Sequence, residues 1–350
     1  MALPSASQAV AAKARAMVGR CLTAADYRQL TQCRSVSEVA EYLKTRTHYA
    51  EALADVNEAA VHRGYLESAL RRKLFEDYQT LTYYDRSMNR RMSDYYLRKS
   101  EIELIVRCLL MMRAGRMEDF LFSVPSFLSG RTRLQLRRMA AAADFDEVVD
   151  AAAATPYGAI LRRFLPASIA AVSLTAVENA LYAYLYKRLY ANMEASPKGE
   201  REELRRLYGA QVDSMQVTRI RRMKTYFHLP AEQIAANLLP VTGSLSRQTL
   251  KDMIEAETDE QVLERFFATA GRYVDEEQRR HPDDLPMRLP YKAARHALHF
   301  SRYPQVVFSA YIMLTEMELD DLVNIIEGVR YGLPPSEIAA MLVMDAAQAG

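Results

Sequence analysis

The sequence predicts an all-α protein built as an array of three repeated helical units, each about 110 residues long and so of ordinary domain size. Three observations predict this fold class: turn-forming residues are scarce, apolar residues recur every three or four positions, and similar segments return at a fixed spacing. The 350 residues include 12 glycines and 13 prolines, whereas average usage would give about 42 of the two together. No run alternates apolar and polar residues strictly enough to predict a strand.

The first element of each repeat is a short helix that begins with a polar or acidic residue. Ser37–Val39, Asp146–Val148 and Glu260–Val262 each place such a residue before an apolar face. Capping residues and acids are favoured there because the helix N-terminus carries partial positive charge. The valines that end the three segments recur at nearly equal intervals along the chain.

A long buried helix follows in the first two repeats. The segment that begins at Glu67 resembles the one that begins at Glu178, and the interval between them matches that of the valines. In both segments the apolar residues step by three or four, which is the spacing of one helix face. These residues are Leu66, Leu70, Leu74, Tyr78 and Leu81, and then Leu174, Val177, Leu181, Leu185 and Leu189.

Each repeat then has an amphipathic helix with a defined end. Glu101–Arg116 aligns with Glu318–Leu333, and Val212–Lys224 is the middle copy. Gly115 and Gly332 close the outer two helices. Glycine suits this position because it readily takes the left-handed conformation of a helix C-terminus.

The last element is a short tail with the strongest similarity. Leu229–Leu239 aligns without gaps with Leu333–Val343, and six of the eleven positions are identical. Pro125 and Pro240 each follow a short apolar stretch, and proline ends a helix because it lacks the amide donor. The expected repeats are residues 1–125, 126–240 and 241–350.

Motifs for catalysis and cofactor binding are missing from the sequence. It has no Gly-x-x-x-x-Gly-Lys-Ser/Thr, no Gly-x-Gly-x-x-Gly after a strand, no Gly-x-Ser-x-Gly and no Cys-x-x-Cys pair. The three cysteines fall at no metal-ligand spacing. We therefore expect no catalytic residue, no cofactor and no metal, and a protein that is not an enzyme.

Two groups of residues could hold a metal ion, and each has a simpler interpretation. His296 and His299 share a helix face, but no third ligand stands at a companion spacing. The acids between Glu316 and Asp321 precede an apolar run. Acids at a helix start are favoured by the helix dipole, so we interpret this cluster as the first turn of a helix.

Charge is nearly balanced overall but unevenly distributed. The 46 Lys and Arg against 44 Asp and Glu argue against a nucleic-acid-binding protein. Residues 61–116 carry twelve basic and seven acidic residues, whereas residues 311–350 carry Arg330 alone against seven acids. Runs without charge reach 14 residues, which is too short for a membrane span of about 20 residues.

Five stretches of the chain are similar to a known family: Ala12–Thr23, Asp26–Tyr27, Ser35–Tyr49, Glu316–Ile326 and Gly332–Ile338. The first three resemble the opening of the C subunit of the archaeal and vacuolar-type rotary ATPases, which is known as the d subunit in eukaryotes. The last two resemble its final helices. The resemblance covers essentially the whole chain, and it implies an all-helical funnel of three pseudo-symmetric units.

The resemblance also implies a function. It makes the chain a non-catalytic rotor subunit that couples the central axle to the membrane ion-translocating ring of a V/A-type ATPase or ATP synthase. Its expected partners are the axle subunits and that ring, and the complex would hold it on the cytoplasmic side of the membrane. The alternative is a helical-repeat scaffold that binds other partners, although such repeats typically span about 34–47 residues.

Basic residues near the helix ends are the expected partner contacts. Arg90, Arg91, Arg219, Arg221 and Arg222 could meet acidic groups on the axle foot or the ring, and the alternative is a solvated helix surface. Exposed ion pairs contribute only about 0–1 kcal/mol each. Several together can still set orientation and association rate.

Overall fold

The computed structural model describes residues 6–57, 63–84, 90–124, 128, 130–165, 168–270 and 285–343. Throughout these ranges the secondary structure consists of helices and the turns between them, with no strand. The all-α fold class is therefore confirmed for this part of the chain. The expected boundary at Pro125 lies outside the described residues.

The helices are numbered in chain order. They are α1 (Ala6–Val18), α2 (Ala24–Thr31), α3 (Val36–Arg46), α4 (Arg63–Tyr84), α5 (Arg90–Arg113), α6 (Phe120–Ser123), α7 (Leu136–Ala141), α8 (Phe145–Ala151), α9 (Pro156–Leu161), α10 (Leu174–Glu194), α11 (Lys198–Thr225), α12 (Ala231–Ala236), α13 (Arg247–Glu255), α14 (Asp259–Ala270), α15 (Leu285–Phe300), α16 (Pro304–Tyr331) and α17 (Pro335–Ala340).

Local sequence explains where many of these helices begin and end. Thr23 caps α2, because its hydroxyl accepts the Asp26 amide while the Asp26 carboxylate accepts the Thr23 amide. The predicted glycine ends are confirmed, with φ of 65° at Gly115 and 68° at Gly332. After α11, which has no glycine at its end, His228 takes the positive φ of 47°.

The prediction that the acids between Glu316 and Asp321 form the first turn of a helix is wrong. Helix α16 begins at Pro304, so Glu316 and Asp321 lie in its middle. The helix extends upstream because the residues before Glu316 are almost all buried and apolar, from Val306 onward. Packing of those residues, together with a proline in the first turn, defines the true start.

The chain divides into two compact units, residues 1–89 with 287–350, and residues 90–286. In the first, α1 and α4 pack on α16, and α2, α3 and α17 also contact α16. Its core combines Leu30 and Leu43 from the N-terminal helices with Leu322 and Ile325 from α16. In the second, α10 packs on α5 and α11, and α11 contacts α13 and α14.

Among the residues that the structure describes, no helix is both long enough and apolar enough to cross a membrane.

A close approach between α11 and the segment before α13 gives a test of this packing. A Cβ added at Gly243 would lie 2.5 Å from the Asp213 Oδ1 and would also collide with the Gly209 carbonyl. We expect Gly243→Ala to lower the free energy of unfolding by about 2–3 kcal/mol, because overpacking against backbone is not relieved by a rotamer change. Urea denaturation of the full chain measures this loss.

Gly19→Ala is the matched control. A Cβ there would meet only the Ala16 carbonyl at 3.5 Å, so its effect should stay within about 0.5 kcal/mol. Equal losses in the two variants would contradict the close approach at Gly243.

Candidate functional site

Three long helices each carry one buried carboxylate that contacts a segment preceding a group of short helices. These are Glu101 on α5, Asp213 on α11 and Glu318 on α16, with 7%, 1% and 1% of the residue surface exposed. We call them the anchoring carboxylates. Burying a charged group is costly unless fixed donors replace water, so the donors around each one define its role.

Glu318 lies at the centre of the first compact unit. Its Oε2 accepts the Leu22 amide at 2.9 Å, and its Oε1 accepts the Tyr49 hydroxyl at 2.9 Å. The His48 Nε2 lies 3.4 Å from the same Oε1. One side chain therefore ties both the segment before α2 and the segment after α3 to α16.

Asp213 makes the same kind of contact in the second compact unit. Its Oδ1 accepts the amides of Gly243 and Leu245 at 3.1 and 3.3 Å. Its Oδ2 accepts the Ser244 amide at 2.7 Å and the Ser244 hydroxyl at 2.6 Å. Four donors from three consecutive residues thus hold the segment before α13 on α11.

Glu101 reaches its segment through a hydroxyl. It accepts the Thr132 hydroxyl at 2.6 Å and the Tyr157 hydroxyl at 2.7 Å. The Thr132 hydroxyl in turn accepts the Leu134 amide at 3.0 Å. The segment before α7 and the start of α9 are therefore both fixed to α5.

The three contacts share one geometry. Leu22, Leu134 and Leu245 each stand two residues before the first residue of a short helix, namely α2, α7 and α13. All three side chains are buried, and they recur at nearly equal intervals along the chain. The amide of each leucine is bonded to an anchoring carboxylate, directly or through one hydroxyl.

A second polar contact follows one turn later on two of these helices. The Asp321 Oδ1 accepts the Val343 amide at 2.8 Å, and the Gln216 Oε1 accepts the Leu239 amide at 3.0 Å. Val343 and Leu239 are the last residues of the two tails that align in the sequence. The tails are therefore held to α16 and α11 by equivalent side chains.

Burial sets the electrostatics of these groups. It raises the pKa of Glu318 from 4.5 to about 7, although the bonds from the Leu22 amide and the Tyr49 hydroxyl act in the opposite direction. Burial also raises the pKa of Asp213, against the bonds from residues 243–245. Burial and the nearby Lys73 lower the pKa of His48 to about 4.

The five expected contact arginines have different environments. Arg90 and Arg91 lie in the first turn of α5, but their side chains lie outside the described part of the chain. Arg219, on α11, is half-buried, and burial lowers its pKa. Its Nη1 donates to the Asn237 carbonyl at 3.3 Å, so this arginine makes a hydrogen bond within the chain.

The last two arginines are neighbours with opposite roles. Arg221 binds Asp259 with two parallel bonds, from Nε to Oδ1 at 2.8 Å and from Nη2 to Oδ2 at 2.6 Å. It therefore links α11 to the start of α14. Arg222 is exposed, and of the three expected contact arginines on α11 it is the one available to a partner.

Two exposed aromatic residues lie beside Arg222. Tyr226 is 76% exposed and Phe227 is 61% exposed. Together with Arg221 and Asp259 they line a cavity of about 530 Å³ at the end of α11. We call Arg222, Tyr226 and Phe227 the α11-end surface. Exposed aromatic side chains beside an arginine are typical of the residues that dominate binding energy at protein interfaces.

The possible metal ligands do not form a site in the described residues. His296 and His299 are both exposed on α15. Within the part of the chain that the structure describes, no group of three or more His, Cys, Asp or Glu side chains could hold a metal ion.

The anchoring carboxylates and the α11-end aromatics were not predicted from the sequence. A signal for the first was present, because Glu101 and Glu318 coincide when their two helices are aligned. Asp213 lies at the start of the middle copy, one position after Val212. An acid that recurs on an otherwise apolar helix face indicates a buried, bonded carboxylate.

Comparison with known proteins agrees with the family resemblance seen in the sequence. Residues 10–341 match the model of the ATP synthase (C/AC39) subunit family. The chain is also 24% identical over 252 residues to the C subunit of the A-type ATP synthase of Methanosphaera stadtmanae. That alignment covers 72% of this chain and 63% of the archaeal protein.

The pKa shift of Glu318 predicts a pH-dependent stability. Because its pKa in the folded protein is about 7 instead of 4.5, the folded state holds a proton that the unfolded state releases between these values. Stability from this group is therefore lost as the pH rises from 4.5 to 7. The Glu318→Gln variant has no such group and does not lose this stability. The difference between its free energy of unfolding and that of the native chain should therefore rise by about 3 kcal/mol between pH 4 and 8.

His48→Gln provides a control of opposite sign. The pKa of His48 is lowered from 6.5 to about 4, so this group adds stability as the pH rises through that window. Relative to the native sequence, the variant should lose about 3 kcal/mol over the same range. Urea denaturation series at each pH measure both differences, and two differences of the same sign would contradict the assignment.

Proposed function

The chain belongs to the ATP synthase (C/AC39) subunit family, and from that membership we propose that it is a non-catalytic rotor subunit of a V/A-type ATPase or ATP synthase. In this role it couples the central axle to the membrane ion-translocating ring. The observation that carries the proposal is the extent of the family match, which spans residues 10–341 and so includes nearly every helix.

The anchoring carboxylates suit a part that transmits torque. A coupling subunit must pass a sideways force from one partner to another without bending at its internal joints. Asp213 fixes its segment through backbone amides of three consecutive residues, and charge-assisted bonds of this kind are short and directional. A force applied at one end of a long helix then reaches the short helices that the carboxylate holds.

We also propose that the fold consists of three repeats, residues 1–125, 126–240 and 241–350, arranged as a funnel. The recurring leucine contact supports this, because the nearly equal intervals between Leu22, Leu134 and Leu245 agree with the period of the sequence. In this arrangement the opening helices of each repeat dock on the long helix of the repeat before it. Those of the first repeat dock on α16, in the last repeat, through Glu318.

The α11-end surface is the proposed contact with the axle or the ring. Its exposed arginine offers charge complementarity to acidic groups, and its two exposed aromatic residues supply apolar area. Of the arginines expected from the sequence, Arg222 keeps this role. Arg90 and Arg91 remain proposed contacts at the start of α5. The complex would hold the subunit on the cytoplasmic side.

A first experiment tests the coupling role in the assembled enzyme. Removal of this chain from membranes that carry its complex should leave ATP hydrolysis running while ion transport stops, because the axle no longer turns the ring. Adding the purified chain back should restore transport. If transport persisted in its absence, the rotor role would be wrong, and a scaffold function would be the better explanation.

A second experiment tests the contact surface. The triple variant Arg222→Gln, Tyr226→Ser, Phe227→Ser should bind the axle-and-ring assembly at least tenfold more weakly, since buried aromatic and arginine contacts each contribute about 2 kcal/mol or more. The remaining affinity should also depend less on salt, because screening acts on the lost charge. Quantitative pull-down at 0.05–0.5 M salt, roughly the range over which charge screening changes, measures both effects.

The matched control is Arg247→Gln, which removes one exposed charge from α13. It should leave the affinity and its salt dependence unchanged. If the triple variant behaved like this control, the α11-end surface would be a solvated surface and the subunit would dock elsewhere.

A further inference from the structure

The helix α15 and the residues after it form a strongly basic stretch of the chain. Residues 285–315 contain no Asp or Glu. The same stretch contains four Lys or Arg residues and two histidines: Arg288, Lys292, Arg295, Arg302, His296 and His299. Since the whole chain is nearly neutral, this local excess of positive charge distinguishes α15 and the turn after it.

The exposed part of this stretch combines two arginines and two histidines with an aromatic ring. Arg295, His296, His299 and Arg302 are exposed, and Phe300 is 76% exposed. The centre of the Phe300 ring lies 4.9 Å from that of His296. We call these five residues the α15 basic face. An exposed aromatic residue beside two arginines has the composition of helix surfaces that lie on membranes.

A cavity opens directly beside this face. It has a volume of about 430 Å³, and its residues come from α1, α2, α15, α16 and the turn after α1. Arg295 and His299 are exposed residues of its lining, whereas Leu22, Leu298 and Leu314 supply apolar walls. The cavity therefore combines an arginine and a histidine at its mouth with leucine side chains on part of its wall.

One hydroxyl inside this cavity can donate a hydrogen bond to a ligand. Tyr27 lines it with 1% of its surface exposed, and its hydroxyl has no hydrogen-bond partner within the described part of the chain. Glu318 also lines it, but its oxygens already accept the Leu22 amide and the Tyr49 hydroxyl. A ligand with an anionic head, hydrogen-bond acceptors and an apolar body would satisfy the arginine, the tyrosine and the leucine walls.

We propose that the α15 basic face binds an anionic phospholipid at a bilayer surface. The phosphate lies between Arg295 and His299, and an ester oxygen of the lipid accepts the Tyr27 hydroxyl. The start of one acyl chain lies along the leucine walls of the cavity, and Phe300 inserts at the level of the headgroups. Basic segments with exposed aromatic residues are attracted to anionic lipid surfaces in this way. A nucleic acid or an acidic peptide would use the same arginines, but it would leave Phe300 and the leucine walls of the cavity without a partner.

Lipid binding of this kind is a property of the isolated chain and a bilayer, so it does not depend on the proposed rotor function. Flotation of the purified full chain with vesicles tests it. Vesicles of 70% phosphatidylcholine and 30% phosphatidylglycerol, roughly the charge of an anionic membrane leaflet, are compared with vesicles of phosphatidylcholine alone. Binding should be at least tenfold stronger to the anionic vesicles and should fall as salt is raised.

Variants locate the binding surface. The triple variant Arg295→Gln, Arg302→Gln, Phe300→Ser should lose at least tenfold in affinity for the anionic vesicles. Its control, Arg137→Gln, Arg247→Gln, Tyr331→Ser, removes the same charge and a similarly exposed aromatic residue at positions away from the α15 basic face, and it should bind as the native chain does. Equal losses in the two variants, or equal binding to both vesicle types, would overturn the proposal.

A competition experiment separates a lipid from other anions. Dihexanoyl phosphatidylglycerol, which is a soluble lipid with the same headgroup, should displace the chain from vesicles. Glycerol phosphate and a polyglutamate peptide should not displace it at matched charge. If glycerol phosphate or polyglutamate displaced the chain as effectively as the soluble lipid, the site would bind a phosphate or a peptide. That result would overturn the lipid assignment.

Discussion

A buried carboxylate on each of three long helices is the constraint on which the rest of the fold depends. Inside the protein such a group is stable only when fixed donors replace its water, and leaving it unpaired costs several kcal/mol. Glu318 obtains its donors from Leu22 and Tyr49, and Asp213 obtains them from residues 243–245. The segment before each group of short helices therefore has one defined position along the axis of a long helix, because any other position would leave the carboxylate without donors.

This constraint explains how distant parts of the sequence share one core. The contact between Leu22 and Glu318 joins residues that lie 296 positions apart. It brings the N-terminal helices onto α16, so that residues 1–89 and 287–350 form one compact unit. The raised pKa of Glu318 follows from the same burial. The proposed coupling role would benefit from such joints, since each is fixed by hydrogen bonds as well as by apolar packing.

The sequence predicted the features that depend on neighbouring residues. Helical periodicity and the glycine ends at Gly115 and Gly332 are such features. The family resemblance also rests on short stretches of consecutive residues. The role of Glu318 could not be predicted, because its burial depends on donors far away in the sequence. An acidic cluster before an apolar run indicates a helix start instead. Arg221 and Arg222 were likewise indistinguishable in the sequence: successive residues point about 100° apart on a helix, and only Arg221 faces Asp259.

Hydrogen–deuterium exchange on the full chain tests the anchoring role most directly. Each carboxylate is replaced in turn by alanine, and the exchange of backbone amides is followed by mass spectrometry. We expect Glu318→Ala to raise exchange at least tenfold in residues 22–57, Glu101→Ala in residues 130–165, and Asp213→Ala in residues 241–270, with the other two segments unchanged each time. Exchange that rose evenly over the chain, or that did not change in the matching segment, would contradict the claim that each carboxylate holds its own group of helices.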